Sequence, residues 1–387
     1  MPLQALSGES SSSTRFWSAP DRRALGKIVW LAVLSLFALF LLDAAMFRTG
    51  FYVRYLEPAS YAGNFESVLT IGREKQFKRP HHVLVLGDSQ IAEGFSPQIA
   101  DEAGAHDGFE FFNAAVGGAT LRCWYYMVRD LDPDRTRFNV IVLPLRGYSD
   151  VDDGEIRADR DDLRWVIARI RLSDIAEYSS SFLTPPIKLT VLREALFKGL
   201  VYRRDLREFL RDPAARFQHV NACRAACADS FYGYSGRTEN LTGLWMDWST
   251  DTLHFPEGVS PQVQAEMKLH TNYRQWSMRG FERAYRKLWL GRIIERYRGT
   301  RAKIVIVSLP YHPFPIPFSW RVDSDSFASQ ASENSQVTIL DEHLFEDLER
   351  PEFFFDVFHM NRTGHVSFSN RLANTLIQQL GAASGSQ

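Results

Sequence analysis

Two short stretches hold the residue types from which nucleophilic chemistry is built. Residues 83–89, VLVLGDS, run from an apolar segment into a tight turn that ends on Ser89. About 270 residues later, 356–364 read DVFHMNRTG, which sets Asp356 and His359 three residues apart ahead of a helical stretch. A serine hydroxyl is a poor nucleophile at neutral pH and needs a base within hydrogen-bond reach. His359 is the candidate base, and Asp356 would fix its tautomer and stabilise the imidazolium. Taken singly, each motif has a plainer reading: Gly-Asp-Ser is common turn chemistry, and Asp356 could cap a turn beside a half-buried histidine. Their pairing in one chain, after an apolar strand and before a helix, favours activated-serine acyl transfer.

The elements that must hold these groups follow an α/β rhythm. Strands are expected at 82–86, 109–113, 139–145, 302–309 and 337–340, mostly as continuous apolar runs of the kind buried parallel strands show. Helices are expected at 120–129 and 364–380, the latter with Leu372, Leu376 and Leu380 on one face. Ser89 then falls at the carboxyl edge of a parallel sheet, where open α/β folds place their sites. The stretch 150–260 reads as an insertion or cap, with helical pieces at 163–172 and 187–210 and a Gly/Asn/Thr-rich loop at 231–248. A long helical stretch, 263–298, follows.

The order and spacing of the two motifs resemble the SGNH hydrolase superfamily, the GDSL-like esterases and acyltransferases. That resemblance implies a flavodoxin-like three-layer sandwich with a parallel central sheet. It also gives 113–120, NAAVGGAT, the place of the superfamily's second block, so the Gly118 amide would join the Ser89 amide in an oxyanion hole. Asp88, Asn113, Arg146, Tyr148 and Ser149 are auxiliary candidates around it. The chain departs from the pattern in the third block, where Ser149 stands in place of an oxyanion-binding Asn. Arg146, Tyr148 or Ser149 could donate instead, and generic esterase activity is put in doubt.

The resemblance is strongest to membrane-tethered branches that act on cell-envelope polymers, such as the alginate and cellulose O-acetylation proteins and the teichoic acid D-alanylation protein. It implies a polysaccharide or glycan acceptor, acetyl or similar acyl groups, a multi-span membrane-bound O-acyltransferase as partner, and no cofactor. Two other expectations stay open: a non-catalytic scaffold or polysaccharide-binding subunit, and a membrane-tethered carboxylesterase. Aromatic residues Tyr232, Tyr234, Trp245, Trp248 and Trp276 could stack on sugar rings or simply pack. His312, after a strand end, could line the pocket, and His365 reads as surface or supporting.

Charge and hydropathy place this chemistry. A net charge of -1 over 387 residues leaves no footprint for nucleic acid. Residues 28–47 are apolar apart from Ser35 and Asp43, and about 20 such residues at roughly 1.5 Å each cross a bilayer core of roughly 30 Å. Arg22, Arg23 and Lys27 precede them, so 1–27 is expected in the cytoplasm and the rest in the periplasm or exterior, on a single-pass inner or plasma membrane protein. A retained signal anchor fits better than a cleaved signal peptide, because Ala44 and Ala45 make a poor cleavage site. The expected division is then a stalk at 48–80, one domain at 81–381 and a flexible end at 382–387. Three cysteines are present; Cys223 and Cys227 could pair if 221–229 is a loop, and no Cys/His spacing marks a metal site.

Overall fold

The computed structural model describes residues 22–145, 148, 162–182, 185–270, 280–314, 331 and 333–384. Among these residues, five strands form the central sheet: β1 (His81–Val85), β2 (Phe109–Asn113), β3 (Val140–Leu145), β6 (Lys303–Ser308) and β7 (Val337–Ile339). All pair in parallel, in the order β2-β1-β3-β6-β7. Counted as sheet strands this is 2-1-3-4-5, a doubly wound order whose winding reverses between β1 and β3. Both faces of the sheet are covered, which is why β2 and β3 are buried at every position and β3 reads as a continuous apolar run rather than an alternating one.

One face carries α2 (Tyr61–Glu74), α5 (Leu121–Leu131) and the long helix α11 (Gly280–Tyr297), whose Trp289 and Ile293 are fully buried. The other carries α3 (Ser89–Gly94), α4 (Pro97–Ala103) and the closing helix α12 (Arg362–Ser384). Leu372 and Leu376 of α12 are fully buried and Leu380 packs at the edge of the same core, as the spacing predicts. Ser96 accepts the Ile99 N–H and Pro97 takes the first helical position, which starts α4 directly after α3.

Helix α1 (Arg22–Phe47) precedes the sheet, and within it Leu25–Phe47 is long and apolar enough to cross a membrane. The segments around it pack into the domain. The stretch 48–80 is not a free stalk: Phe65, Val68 and Leu69 of α2 are buried in the main core against α5. The insertion shares that core, through Val191 and Ala195 of α7 (Pro185–Leu196) and Tyr202 of α8 (Gly199–Arg211), with the short helix α6 (Ile175–Ser180) before them.

Beyond α8, residues 221–229 lie within α9 (Pro213–Gly233) and not in a loop. The pairing of Cys223 with Cys227 loses its premise, and Cys223 is a free thiol. A small hairpin, β4 (Trp245–Asp247) with β5 (Thr252–His254), occupies part of the expected loop. Of the helical stretch expected at 263–298, the described residues form α10 (Pro261–His270) and α11.

Candidate active site

Ser89 is delivered by the turn that follows β1. A side chain at Gly87 would sit 2.4 Å from the Ile91 Cβ, so only glycine lets the chain fold this tightly into α3. Asp88 caps that helix, its Oδ1 accepting the Gln90 N–H at 2.9 Å. Its role is therefore to shape the turn that displays the serine.

His359 comes from a closed loop between Phe354, which bridges to Met360, and α12. Asp356 Oδ1 accepts the N–H groups of Phe358 and His359 at 2.8 and 2.7 Å, and the Phe355 N–H donates to the His359 carbonyl at 3.1 Å. The loop is also tied to its neighbours. Gln90 donates its Nε2 to the Phe358 carbonyl at 3.1 Å, and buried His312 donates Nδ1–H to the Val357 carbonyl at 3.1 Å.

These two constructions bring the distant motifs together. His359 Nε2 lies 2.8 Å from Ser89 Oγ, and His359 Nδ1 lies 2.8 Å from Asp356 Oδ2. In the neutral ring, with Nδ1–H donating to Asp356, Nε2 accepts the serine proton. Burial draws the His359 pKa down, but the hydrogen bond and negative charge of Asp356, with the charges of Glu93 and Asp88, outweigh it and raise the pKa above the ordinary 6.5. For Asp356, burial acts upward, while His359 and the two backbone N–H groups hold the carboxyl below its usual range. The side chains of His359 and Asp356 are 20% and 17% exposed, which leaves the line open to a reactant from one side.

The turn after β2 brings Gly117 beside Ser89. The Cβ position of Gly117 is 3.7 Å from the Ser89 Cβ, and Gly118 adopts φ +78°, a conformation glycine takes without strain. The end of this turn is fixed from behind. Thr120 donates to Asp162 Oδ1 at 2.6 Å, and Asp162 is paired with the fully buried Arg122 at 2.6 Å.

Among the auxiliary candidates, Asn113 and Tyr148 do structural work. Asn113 is buried, donates to the Ile91 and Phe95 carbonyls, and accepts the Ala115 N–H, locking the end of β2 to α3. The Tyr148 hydroxyl donates toward the Leu340 and Ile306 carbonyls at 2.7 and 3.3 Å, which directs it to the β6–β7 edge and not to an oxyanion. Arg146 and Ser149 lie outside the described residues.

Compared with known proteins, the chain matches no family model and no curated protein.

Further residues support the site from behind and beside it. His365, expected at the surface or in support, is 1% exposed and donates Nδ1–H to the Glu93 carbonyl at 2.7 Å. With the Ser96 N–H donating to Ser369 Oγ at 2.8 Å, it staples α12 to α3 and α4, and so joins the serine's helix to the histidine's loop. Tyr234 donates to Glu93 Oε2 at 3.2 Å, and Arg237 lies 4.5 Å over the Phe355 ring, which itself stacks on His359. The 234–237 segment of the insertion therefore forms a rim beside His359.

Of the other aromatics, Trp248 reaches the site through Phe314 and His312, whereas Trp245 stays on the hairpin, stacked on His254. The Tyr232 side chain and Trp276 lie outside the described residues. Asp356, His359 and His365 do not converge as metal ligands, since both His359 nitrogens face Asp356 and Ser89 and His365 turns to Glu93.

Proposed function

We propose that this chain is a membrane-anchored, extracytoplasmic serine acyltransferase or esterase of the SGNH type, acting on acyl groups of a cell-envelope or exported polysaccharide. The observation that carries the reading is the unbroken hydrogen-bonded line from Ser89 Oγ through His359 to Asp356. Ser89 Oγ attacks the acyl carbonyl carbon while His359 Nε2 takes its proton, and Asp356 stabilises the imidazolium. The Ser89 and Gly118 amides hold the tetrahedral oxyanion. Its collapse breaks the bond to the leaving oxygen, which takes the proton from His359 and leaves an acyl-serine. A sugar hydroxyl or a water, deprotonated by His359, then attacks that ester and frees Ser89.

The substrate class draws on the family resemblance together with the apolar N-terminal helix, and the parallel sheet with its 2-1-3-4-5 order is what a flavodoxin-like SGNH core requires. Transfer is preferred to hydrolysis chiefly because the membrane-tethered architecture and the missing third-block Asn are those of the envelope-polymer branches it resembles; Tyr148, one possible replacement for that Asn, is committed to the backbone. A polysaccharide acceptor and a multi-span acyltransferase partner belong to the same proposal.

A fluorophosphonate probe tests the nucleophile on the full chain in detergent. Wild type is expected to label and Ser89→Ala to remain unlabelled; a folded wild type that never labels supports the scaffold reading instead. With an acyl-ester donor and an oligosaccharide acceptor, acylated sugar is expected, and free acid as the sole product turns the reading to hydrolysis.

A further inference from the structure

Asp43 is the one carboxylate inside the apolar run 28–47. A charge at that depth is costly unless something bonds it. Both of its oxygens are bonded: Oδ2 accepts the Lys198 N–H at 3.0 Å and Oδ1 the Gly199 N–H at 2.7 Å, at the start of α8. Phe197, in the same corner between α7 and α8, meets Phe40 edge-on with ring centroids 6.1 Å apart. At about 1.5 Å per residue, Phe40 lies roughly 10 Å and Asp43 roughly 6 Å inside the end of the apolar span at Phe47. A span of 23 residues is about 34 Å long, only a few ångströms more than a bilayer core. The corner therefore reaches past the outer end of the span to a depth where lipid surrounds α1.

Its outward side suits that position. Leu189 is 68% exposed, and Leu192 and Leu200 are exposed beside it. Arg48, the first residue after the span, donates to the Ile170, Ala195 and Leu196 carbonyls and pins the corner to α1. From there α8 follows the departing chain, with Tyr202 stacked on Phe47 and Phe209 on Tyr55. Its other side is basic: Arg203, Arg207 and Arg211 line an open cavity of about 480 Å³ with Leu206 and Leu210. The acids of the same helix are turned elsewhere, Asp205 to Arg216 and Glu208 to Arg204. Exposed leucines next to a row of arginines, joined to a membrane-spanning helix, match the composition of an element lying in the interface.

We propose that the α7–α8 corner is a second membrane contact, seating Leu189, Leu192 and Leu200 in the outer leaflet while Arg203, Arg207 and Arg211 bind the phosphates of anionic phospholipid headgroups. The inference rests on the single-span reading of α1. Two attachments, one spanning and one interfacial, fix the tilt of the catalytic domain over the bilayer, which one flexible tether would leave free.

Nitroxide labels in nanodiscs holding one full-length chain each test the depth. Cys123 is fully buried and stays; Cys223 and Cys227 become serine, and single labels are placed by Phe37→Cys, Leu192→Cys or Ser249→Cys. The label at 192 is expected to collide with oxygen and be shielded from an aqueous nickel chelate, like the label at 37 and unlike the one at 249. If 192 behaves as 249 does while 37 is in lipid, the corner contact is wrong although the span stands. If 37 is itself aqueous, the span fails and the contact with it. A label at 192 sheltered from both reagents means protein covers it, which also overturns the proposal. For the headgroups, native mass spectrometry of chains taken from mixed phosphatidylglycerol and phosphatidylcholine discs is expected to show retained phosphatidylglycerol, reduced about tenfold by the combined Arg203→Glu, Arg207→Glu and Arg211→Glu substitutions. Inorganic phosphate should not displace it. Retention that survives the charge reversal, or is lost to free phosphate, overturns the headgroup assignment.

Discussion

Asp356 with His359 and Asp162 with Arg122 are both carboxylates holding a basic partner within 3 Å, yet their surroundings give them different tasks. Arg122 and Asp162 are 0% and 1% exposed, and the guanidinium is permanently charged. Aromatic rings enclose it, Phe182 at 3.9 Å and Tyr285 at 5.0 Å, while Tyr285 also donates to Asp162. That pair has no route by which to exchange a proton with a reactant; it anchors Thr120 and so the end of the Gly117-Gly118 turn. His359 and Asp356 keep an open side, a titratable ring and a hydroxyl at the far nitrogen. Access and a switchable charge, not the ion-pair distance, separate a reactive arrangement from a structural one.

The largest expected effect separates the two carboxylates by activity. Asp356→Asn, which leaves the loop in place but disturbs the imidazole tautomer, is expected to lower acyl-enzyme turnover about 10⁴-fold. Its melting temperature should move little; a fall of less than tenfold in the rate would take Asp356 out of the chemistry.

Asp162→Ala should act the other way. Stranding Arg122 in the core is expected to cost about 3–5 kcal/mol in denaturant unfolding, while the fraction that remains folded loses far less of its labelling rate than Asp356→Asn loses of its turnover. Replacing both partners, as Arg122→Met with Asp162→Leu, should recover most of that stability. If the double variant is as unstable as the single one, the pair is more than a charge that needs its counter-charge.

The smallest effect lies in pH. His359 must be neutral to take the serine proton, so activity should rise with pH along an acid limb whose midpoint lies above 6.5, as its raised pKa requires. Stability linked to the same ring runs in the opposite sense. The His359–Asp356 ion pair contributes fully below the unfolded histidine pKa, about 6.5, and its contribution fades as pH rises through the folded pKa. An acid limb centred below 6.5 would mean that Asp356 does not raise the imidazole.

Much of the central fold was legible because buried parallel strands announce themselves as apolar runs. The segments 82–86, 109–113, 139–145, 302–309 and 337–340 all correspond to sheet strands. Helix α2 was not legible, because 48–80 mixes aromatics with polar residues and its buried face becomes plain only against α5. Helix α9 has alternating small and polar residues without a strong apolar stripe, and so 221–229 read equally well as loop. For the site, Ser89, Asp356 and His359 stood out by type and spacing. Gln90 and Ser369 did not, since a side chain that bonds the backbone of a segment some 270 residues away leaves no local pattern.

By itself, the sequence determined the α/β rhythm, the apolar N-terminal helix and the three side chains suited to acyl transfer, because strand hydrophobicity, helix length and functional-group chemistry are written in local composition. The tertiary structure decided that His359 Nε2 meets Ser89 Oγ, that Tyr148 faces the backbone, and that the α7–α8 corner lies against Asp43. Each depends on which distant segments the sheet order and the closing helix bring within hydrogen-bond distance, and no local stretch of sequence contains that information.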